Sequence, residues 1–318
     1  MINILSAVES VVNSAKEVKI NYLALSGVAN SFQMAEAKSW LHDAPFDFSV
    51  LSEEEMVNFL FLFYALIFCF WGEPKWAVTY QEKSFDGSFG LLIALRRAKE
   101  EGVPVFDWNY WATISQHHLA TILRGNVEIP LFSARLDIMH EVGKGIEDNW
   151  QGNIANLIQA AQHDAQELLL LISNNFPSFR DVAQYQGRIV PFYKRAQLFI
   201  VDIYQFLENK GLGNFSNIKT ITALADYKLP QTLRHLGILQ YTPKLASIVD
   251  SKNSLPHGAE AEVEIRAATV WAVELLRREL APKFPTITAT VINDYLWLMS
   301  QSLANTVKPY HRTLNIYY

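Results

Sequence analysis

Cysteine is almost missing from this chain: the one present, Cys69, lies in an apolar run. A single thiol excludes a disulfide framework and a cysteine zinc site and suits a reducing cytosol, so a cytoplasmic protein is expected. Positive charge is short as well. Lys and Arg number 27 against 32 Asp and Glu, for a formal net charge of -5. Proteins that grip phosphodiester backbones carry a basic excess or stripe, and neither is present. Long nucleic acid is therefore not an expected partner, although a small phosphorylated ligand needs only two or three local cations. No basic stretch followed by a cleavage site marks a secretory signal. Residues 56–71 (MVNFLFLFYALIFCFW) imitate a membrane span, but 16 residues fall short of the roughly 20 needed to cross a bilayer. They contain Asn58 and follow SEEE, where Ser52 and Glu55 have capping-box spacing, so a central helix buried on all sides is expected instead.

Familiar catalytic signatures are lacking too. His117 and His118 are adjacent and so face different ways on a helix, no HExxH occurs, and no metal site is expected. Gly143-Lys144-Gly145 lacks the remainder of a phosphate-binding loop, Gly211-Leu212-Gly213 lacks a preceding strand and a third glycine, and no G-x-S-x-G elbow occurs. No cofactor is implied.

What the chain does have is helical periodicity, with half its residues apolar and 13% aromatic. In 156–172, Leu157, Ala161, Asp164, Ala165, Leu168 and Ile172 share one stripe. In 192–207, Phe192, Ala196, Phe199, Ile203 and Phe206 recur at steps of four and three, with Leu198 and Val201 opposite, so this helix is expected to be buried most of the way round. Further helices are predicted at 3–16, 22–41, 88–101, 115–124, 131–149, 261–281 and 286–304. The best strand is 75–80 (KWAVTY), half of a hairpin before Asp86-Gly87. Glycine and proline are dispersed and no repeat or linker breaks the chain. The expectation is an all-α fold with at most a small β-hairpin, 1–318 forming one domain, and the terminal tyrosines docked on the body.

Polar residues in apolar company are the candidates for function. Lys194 shares a helix face with Leu198 and Val201, and Asp202 lies between Phe199 and Phe206; against a functional role stand a lysine snorkelling outward and an internal ion pair that satisfies a buried carboxylate. Glu262 and Arg266 are four apart and can pair on a helix surface. Glu264 aligns with Ala268, Trp271 and Leu275 and is expected to neutralise a buried partner. Asp226, in TALADYKLPQTL, has the spacing of a helix N-cap, which spacing alone favours over a catalytic role. Asn293 and Asp294 read either as solvated helix-surface groups or as hydrogen-bonding groups.

Taken together, ADYKLPQTLRHLG (225–237), PFYKRAQ (191–197), EVEIRAATVWAVEL (262–275), DYLW (294–297) and HRTLNIYY (311–318) resemble the queuosine salvage protein family. FCFWG (68–72) and FPSFRDV (176–182) do so too, and the match runs from about residue 40 to the last residue. The resemblance implies an N-glycosidase that hydrolyses queuosine 5'-phosphate between deazaguanine base and ribose and frees queuine for reinsertion into tRNA. It also implies an all-α fold related to helix-hairpin-helix DNA glycosylases without their DNA-binding surface. The family's catalytic aspartate carries over onto Asp226 and its active-site lysine onto Lys194, while Trp40-Leu41-His42 would set His42 against the base. Three positions depart from the family: Leu224 stands for a stacking Phe, Asn293 for the base-recognition carboxylate, with Asp294 following, and Leu298 for a further Asp of some members.

A carboxylate beneath the sugar would stabilise the positive charge that develops at C1' as the bond breaks. Asp226 could equally act as base or nucleophile. Lys194 would contact the phosphate or keep Asp226 ionised, with His311 and Arg312 as second candidates for the phosphate. Two alternatives are a glycosidase acting on polymeric nucleic acid and a non-catalytic nucleotide-binding helical module.

Overall fold

The computed structural model describes residues 3–34, 40, 44–303 and 307–318. Its first part runs α1 (Ile4–Ser14), β1 (Val18–Ile20), α2 (Tyr22–Ser31), α3 (Glu53–Leu66), β2 (Ala77–Tyr80), β3 (Lys83–Asp86) and α4 (Gly87–Glu100). The middle is helical: α5 (Trp108–Thr113), α6 (Gln116–Ile122), α7 (Phe132–Trp150), α8 (Ile154–Ala160) and α9 (Ala165–Asn175). Then follow β4 (Val182–Tyr185), β5 (Arg188–Pro191), α10 (Lys194–Phe206), α11 (Lys228–His235), β6 (Leu239–Tyr241), α12 (Pro243–Asp250), α13 (Glu260–Leu280) and α14 (Ala289–Ser302).

The fold is mainly helical, but the limit of one hairpin is corrected. Three two-stranded antiparallel sheets are present among the described residues. β2–β3 is the hairpin expected before Asp86-Gly87, β4–β5 is a second, and β1 pairs with the remote β6, Val18 opposite Tyr241. Strands of three or four residues are too short for alternation to be legible. The helix expected at 156–172 is likewise corrected to two. Gln162 and His163 take left-handed backbone (φ 50° and 64°), and Asp164 leaves the stripe to cap α9, accepting from the N–H groups of Gln166 and Glu167 at 2.8 and 3.0 Å.

α3 is the central buried helix. Ser52 and Glu55 close its capping box, and every residue from Met56 to its end is buried. At 14 residues it does not cross a bilayer, and among the described residues no helix is long and apolar enough to do so. The last carbonyls of a helix lack intrahelical donors. Here two buried arginines supply them: Arg195 donates to the carbonyls of Tyr64 and Ala65, Arg135 to those of Leu66, Phe68 and Cys69. Burial lowers their pKa values to about 10 and about 9, while the dipole of the helix end favours their charge. The clamp fixes the segment after α3 that carries Phe68, Phe70 and Trp71.

α13 is buried along most of its length, and this corrects two expectations. Glu262 and Arg266 are 3.8 Å apart but wholly buried rather than on a surface. Glu264 pairs with no cation among the described residues: its carboxylate accepts the N–H groups of Lys16, Glu17 and Val18 and the Tyr185 hydroxyl, so it caps the chain entering β1. Apolar residues form two clusters, one around α3 and α10 and one around α11, α13 and α14, with Leu275 and Trp297 packed on both. A cavity opens where they meet.

Candidate active site

The cavity has a volume of about 230 Å³ and is lined by residues from α3's exit, the start of α4, α10, the segment before α11, and α14. Asp226 sits in that segment, which is not helical and is tied at three points. Leu224 donates its N–H to Asn293 Oδ1 at 3.0 Å, the Ala225 carbonyl accepts from Arg266 Nε at 3.2 Å, and the Asp226 N–H closes a tight turn onto the Leu224 carbonyl at 2.9 Å. Asp226 is indeed a cap. Its Oδ1 accepts the N–H groups of Lys228 and Leu229 at 2.7 and 2.9 Å. Both bonds fall on one oxygen, however, and Oδ2 accepts from no described residue. The cap orients the carboxylate and leaves its second oxygen available to the cavity that Asp226 lines.

Lys194 is the first residue of α10 and only 6% exposed. Tyr193 before it is left-handed (φ 47°), which turns the chain sharply from β5 into the helix. Asp181 holds this turn: its carbonyl accepts from Phe192 and Tyr193, and its carboxylate accepts the Lys194 N–H at 3.1 Å. Arg266 grips the same carboxylate with both terminal nitrogens, Nη1 at 2.9 Å, and is itself fully buried. One guanidinium therefore positions Lys194 through Asp181 and Asp226 through the Ala225 carbonyl. The Lys194 ammonium lines the cavity and makes no hydrogen bond or ion pair with a described residue. Burial lowers its pKa to about 8, and the charge of Asp226 is the strongest pull the other way. The two groups thus share the cavity as opposed charges without a direct ion pair.

A different chemistry lies on α14. Asn293 and Asp294 are 4% and 3% exposed, so the solvated-surface reading does not hold. Asp294 accepts from Gln205 Nε2 at 3.2 Å and Asn293 Nδ2 at 3.3 Å. Burial raises its pKa to about 7, which those bonds oppose. Behind it Asp202, fully buried, accepts from Trp40 Nε1 at 3.2 Å and from the Tyr64 hydroxyl, while its Oδ1 has no partner among the described residues. Burial, and next the charge of Asp294, push Asp202 well above the usual carboxylate range. Aromatic rings wall this part: Trp40 stacks on Phe89 and meets Trp297 edge-on at 5.4 Å between centroids.

Of the residues singled out from the sequence, Asp226, Lys194, Leu224, Asn293 and Asp294 line one cavity. Three others do not reach it. Leu298 packs on the apolar cluster around α3. His311 is buried against Tyr318, its ring 3.3 Å from that hydroxyl, and burial lowers its pKa to about 3, so it is neutral and offers no charge to a phosphate. Arg312 pairs with Glu73 on the surface. His42 lies outside the described residues. Sequence reasoning singled out Asp202 without assigning it to the site, and missed Lys228, Ser88 and Tyr310, which line the cavity. Asp202 carried a signal, a carboxylate amid aromatics; the others carried none.

Residues 48–318 match the model of a family described as queuosine salvage protein. The chain is 39% identical over 317 residues to a queuosine 5'-phosphate N-glycosylase/hydrolase of Sphaerobacter thermophilus, covering 100% of this chain and 98% of that protein. Proteins of the same name from Bos taurus and Schizosaccharomyces pombe are 38% and 28% identical, covering 84% and 97% of this chain and 83% and 94% of their own length.

Proposed function

Because the chain belongs to the queuosine salvage protein family, we propose that it hydrolyses the N-glycosidic bond of queuosine 5'-phosphate and releases queuine. The observation that carries this reading is Asp226, one oxygen held by two backbone donors and the other open to a cavity shared with Lys194. Cleavage builds oxocarbenium character at C1', and a fixed carboxylate with a free oxygen stabilises that charge without reorganising. Lys194 faces the same cavity, where the charge of Asp226 favours its ammonium form. A deazapurine lacks the ring nitrogen that a purine leaving group offers for protonation, so positioning and electrostatics must supply more of the barrier reduction.

The base lies among Trp40, Phe89 and Trp297, with Asn293 and Asp294 toward its guanine-like edge. A carboxylate that accepts suits N–H groups there. The whole chain works as one catalytic domain, and its kinship with helix-hairpin-helix glycosylases rests on the family resemblance. A cavity of about 230 Å³ and the net negative charge support a single nucleotide over a polymer as substrate.

The test is direct. The protein is incubated with queuosine 5'-phosphate, queuosine and queuosine-containing tRNA, and free base is measured by mass spectrometry. Release from the nucleotide is expected; release from intact tRNA alone would favour a polymer-acting enzyme, and no release from any of the three would leave only a binding module.

A further inference from the structure

Tyr318 belongs to the cavity wall but has no part in the reading above. We propose that it is a positioning residue for base release: its ring fixes the plane of Arg266 and, through that guanidinium, the placement of Asp226 relative to Lys194. The kinetic side of this role rests on the glycosidase reading; the structural side does not.

Arg266 is where the supports of the two candidate groups meet. Its terminal nitrogens hold Asp181, whose carboxylate accepts the Lys194 N–H, and its Nε donates to the Ala225 carbonyl beside Asp226. The donors of a guanidinium lie in one plane. A tilt of that plane therefore moves both attachments at once, and rings packed against it resist the tilt. Two rings do so, with centroids 4.0 Å (Phe192) and 4.4 Å (Tyr318) from the guanidinium carbon. Phe192 is part of the turn being positioned, since its N–H is bonded to the Asp181 carbonyl. Tyr318 is not. Among the described residues it is the only ring that both lies on Arg266 and lines the cavity.

The ring is itself held from two sides. Tyr318 is buried, and its hydroxyl donates to Glu262 Oε1 at 2.6 Å, one turn before Arg266 on α13. Its carbonyl accepts the Cys69 N–H at 2.9 Å, in the segment that Arg135 clamps. Burial, and next the charge of Glu262, push the phenol well above its ordinary pKa, so it keeps its hydrogen for the Glu262 bond. With that hydrogen committed, His311 Nε2 is the donor in its 3.3 Å contact with the hydroxyl oxygen. α13 carries a second bond of the same kind: the Tyr185 hydroxyl donates to Glu264 Oε1 at 2.8 Å. Tyr185 does not line the cavity, and Glu264 holds the N–H groups of Lys16, Glu17 and Val18 instead. One helix thus has a buried tyrosine–glutamate bond beside the candidate site and another away from it.

The test compares Tyr318→Leu, Tyr318→Phe and Tyr185→Phe with the unaltered protein. Base release from queuosine 5'-phosphate gives kcat and KM, and hydrogen–deuterium exchange reads the amides of 224–229 and of 16–18. Tyr318→Leu removes the ring and should lower kcat by about tenfold to a hundredfold, the scale for a misplacement of about 1 Å. Its KM should stay within about threefold of the parent value, because ground-state contacts are kept. Exchange at Lys228 and Leu229, whose N–H groups Asp226 holds, should quicken by about tenfold. Tyr318→Phe keeps the ring and should restore most of kcat, leaving a loss of about twofold to fivefold for the missing hydroxyl bond. Tyr185→Phe should quicken exchange at 16–18 instead and leave kcat unchanged. A kcat loss in Tyr318→Leu no larger than in Tyr185→Phe would overturn the positioning role, as would unchanged exchange at 224–229. A rise in KM alone would also overturn it and make the ring a ligand contact. If Tyr318→Leu does not fold, Tyr318→Phe decides by the same readings. If the unaltered protein releases no base, the glycosidase reading fails, and the exchange pattern alone decides the role of Tyr318.

Discussion

The charges gathered around Arg266 are buried, and those that face the cavity are buried at Lys194 and Asp294 and half-buried at Asp226, yet the two sets are provided for in opposite ways. Arg266 is forked onto Asp181 and lies near Glu262, which also accepts from the Tyr318 hydroxyl at 2.6 Å, and Glu264 is filled by three backbone donors and a tyrosine. Among the described residues, in contrast, Lys194 has no acceptor, Asp226 keeps an oxygen unbonded, and Asp294 has only two amide donors. Burying a charge without a partner costs stability, and burying one inside a full network costs far less. The first region spends its polar groups on holding the second in place, through Asp181 to Lys194 and through the Ala225 carbonyl to Asp226. Groups left wanting in a cavity are where a ligand or a reacting atom is expected to supply what the protein does not.

That contrast breaks first at Arg266. Arg266→Met leaves Asp181 buried and unpaired and should destabilise the protein by about 3–5 kcal/mol, read by urea unfolding. A loss under about 1 kcal/mol would mean that the network is not what holds the site. Asp226→Asn is next. An amide oxygen still accepts from Lys228 and Leu229, so the cap and the melting temperature should survive while kcat falls by about a hundredfold to a thousandfold. A folded mutant with near-normal base release would end the assignment.

Lys194→Met sharpens the comparison because stability and activity should move in opposite directions. Its pKa in the folded protein, about 8, lies below the ordinary lysine value, so the unfolded chain holds the proton more tightly. The charge therefore costs stability at neutral pH, and the cost is relieved as pH rises above about 8. Lys194→Met should melt higher than the parent at pH 7 and lose activity by the same factor on nucleotide and nucleoside. In the unaltered protein kcat/KM should fall as pH rises through about 8, and this limb should move to higher pH in Lys194→Arg. A loss confined to the nucleotide would return Lys194 to the phosphate.

Asp294 tests the same contrast with the opposite sign of charge. Its folded pKa of about 7 lies above the ordinary carboxylate value, so the folded state holds the proton more tightly. Stability is then highest at acid pH and falls as pH rises toward 7. Asp294→Asn should raise the melting temperature at pH 8 and give no gain below pH about 4, the unfolded carboxyl range. It should also weaken free queuine by about 1–3 kcal/mol, the cost of mismatched ligand N–H groups. Unchanged queuine affinity would make this residue structural. The smallest effect concerns salt: nucleotide binding should weaken only modestly with added NaCl, because few counterions are released. A steep dependence together with tight tRNA binding would point to a polymer site.

Local patterns were legible in the residue order and the structure bears them out. The capping box at Ser52 and Glu55, the buried run that became α3, the densely apolar α10 and the β2–β3 hairpin each depend on neighbours within a few residues, where spacing carries the information. The family strings also carried Asp226 and Lys194, although spacing alone left Asp226 a cap, and it is one. Tertiary structure decided the rest. Whether Glu262, Glu264 or Asp294 is paired, solvated or left wanting depends on groups dozens to hundreds of residues away: Lys16 to Val18 for Glu264, Asp181 for Arg266, Gln205 for Asp294. No periodicity records which remote partner a buried carboxylate meets. The β1–β6 pairing, the two arginines that cap α3, and the meeting of Asp226, Lys228 and the start of α4 at one cavity have the same origin. Side-chain pattern determined which segments fold and which faces are buried, while the free energy of each buried charge was settled by the packing of distant segments around it.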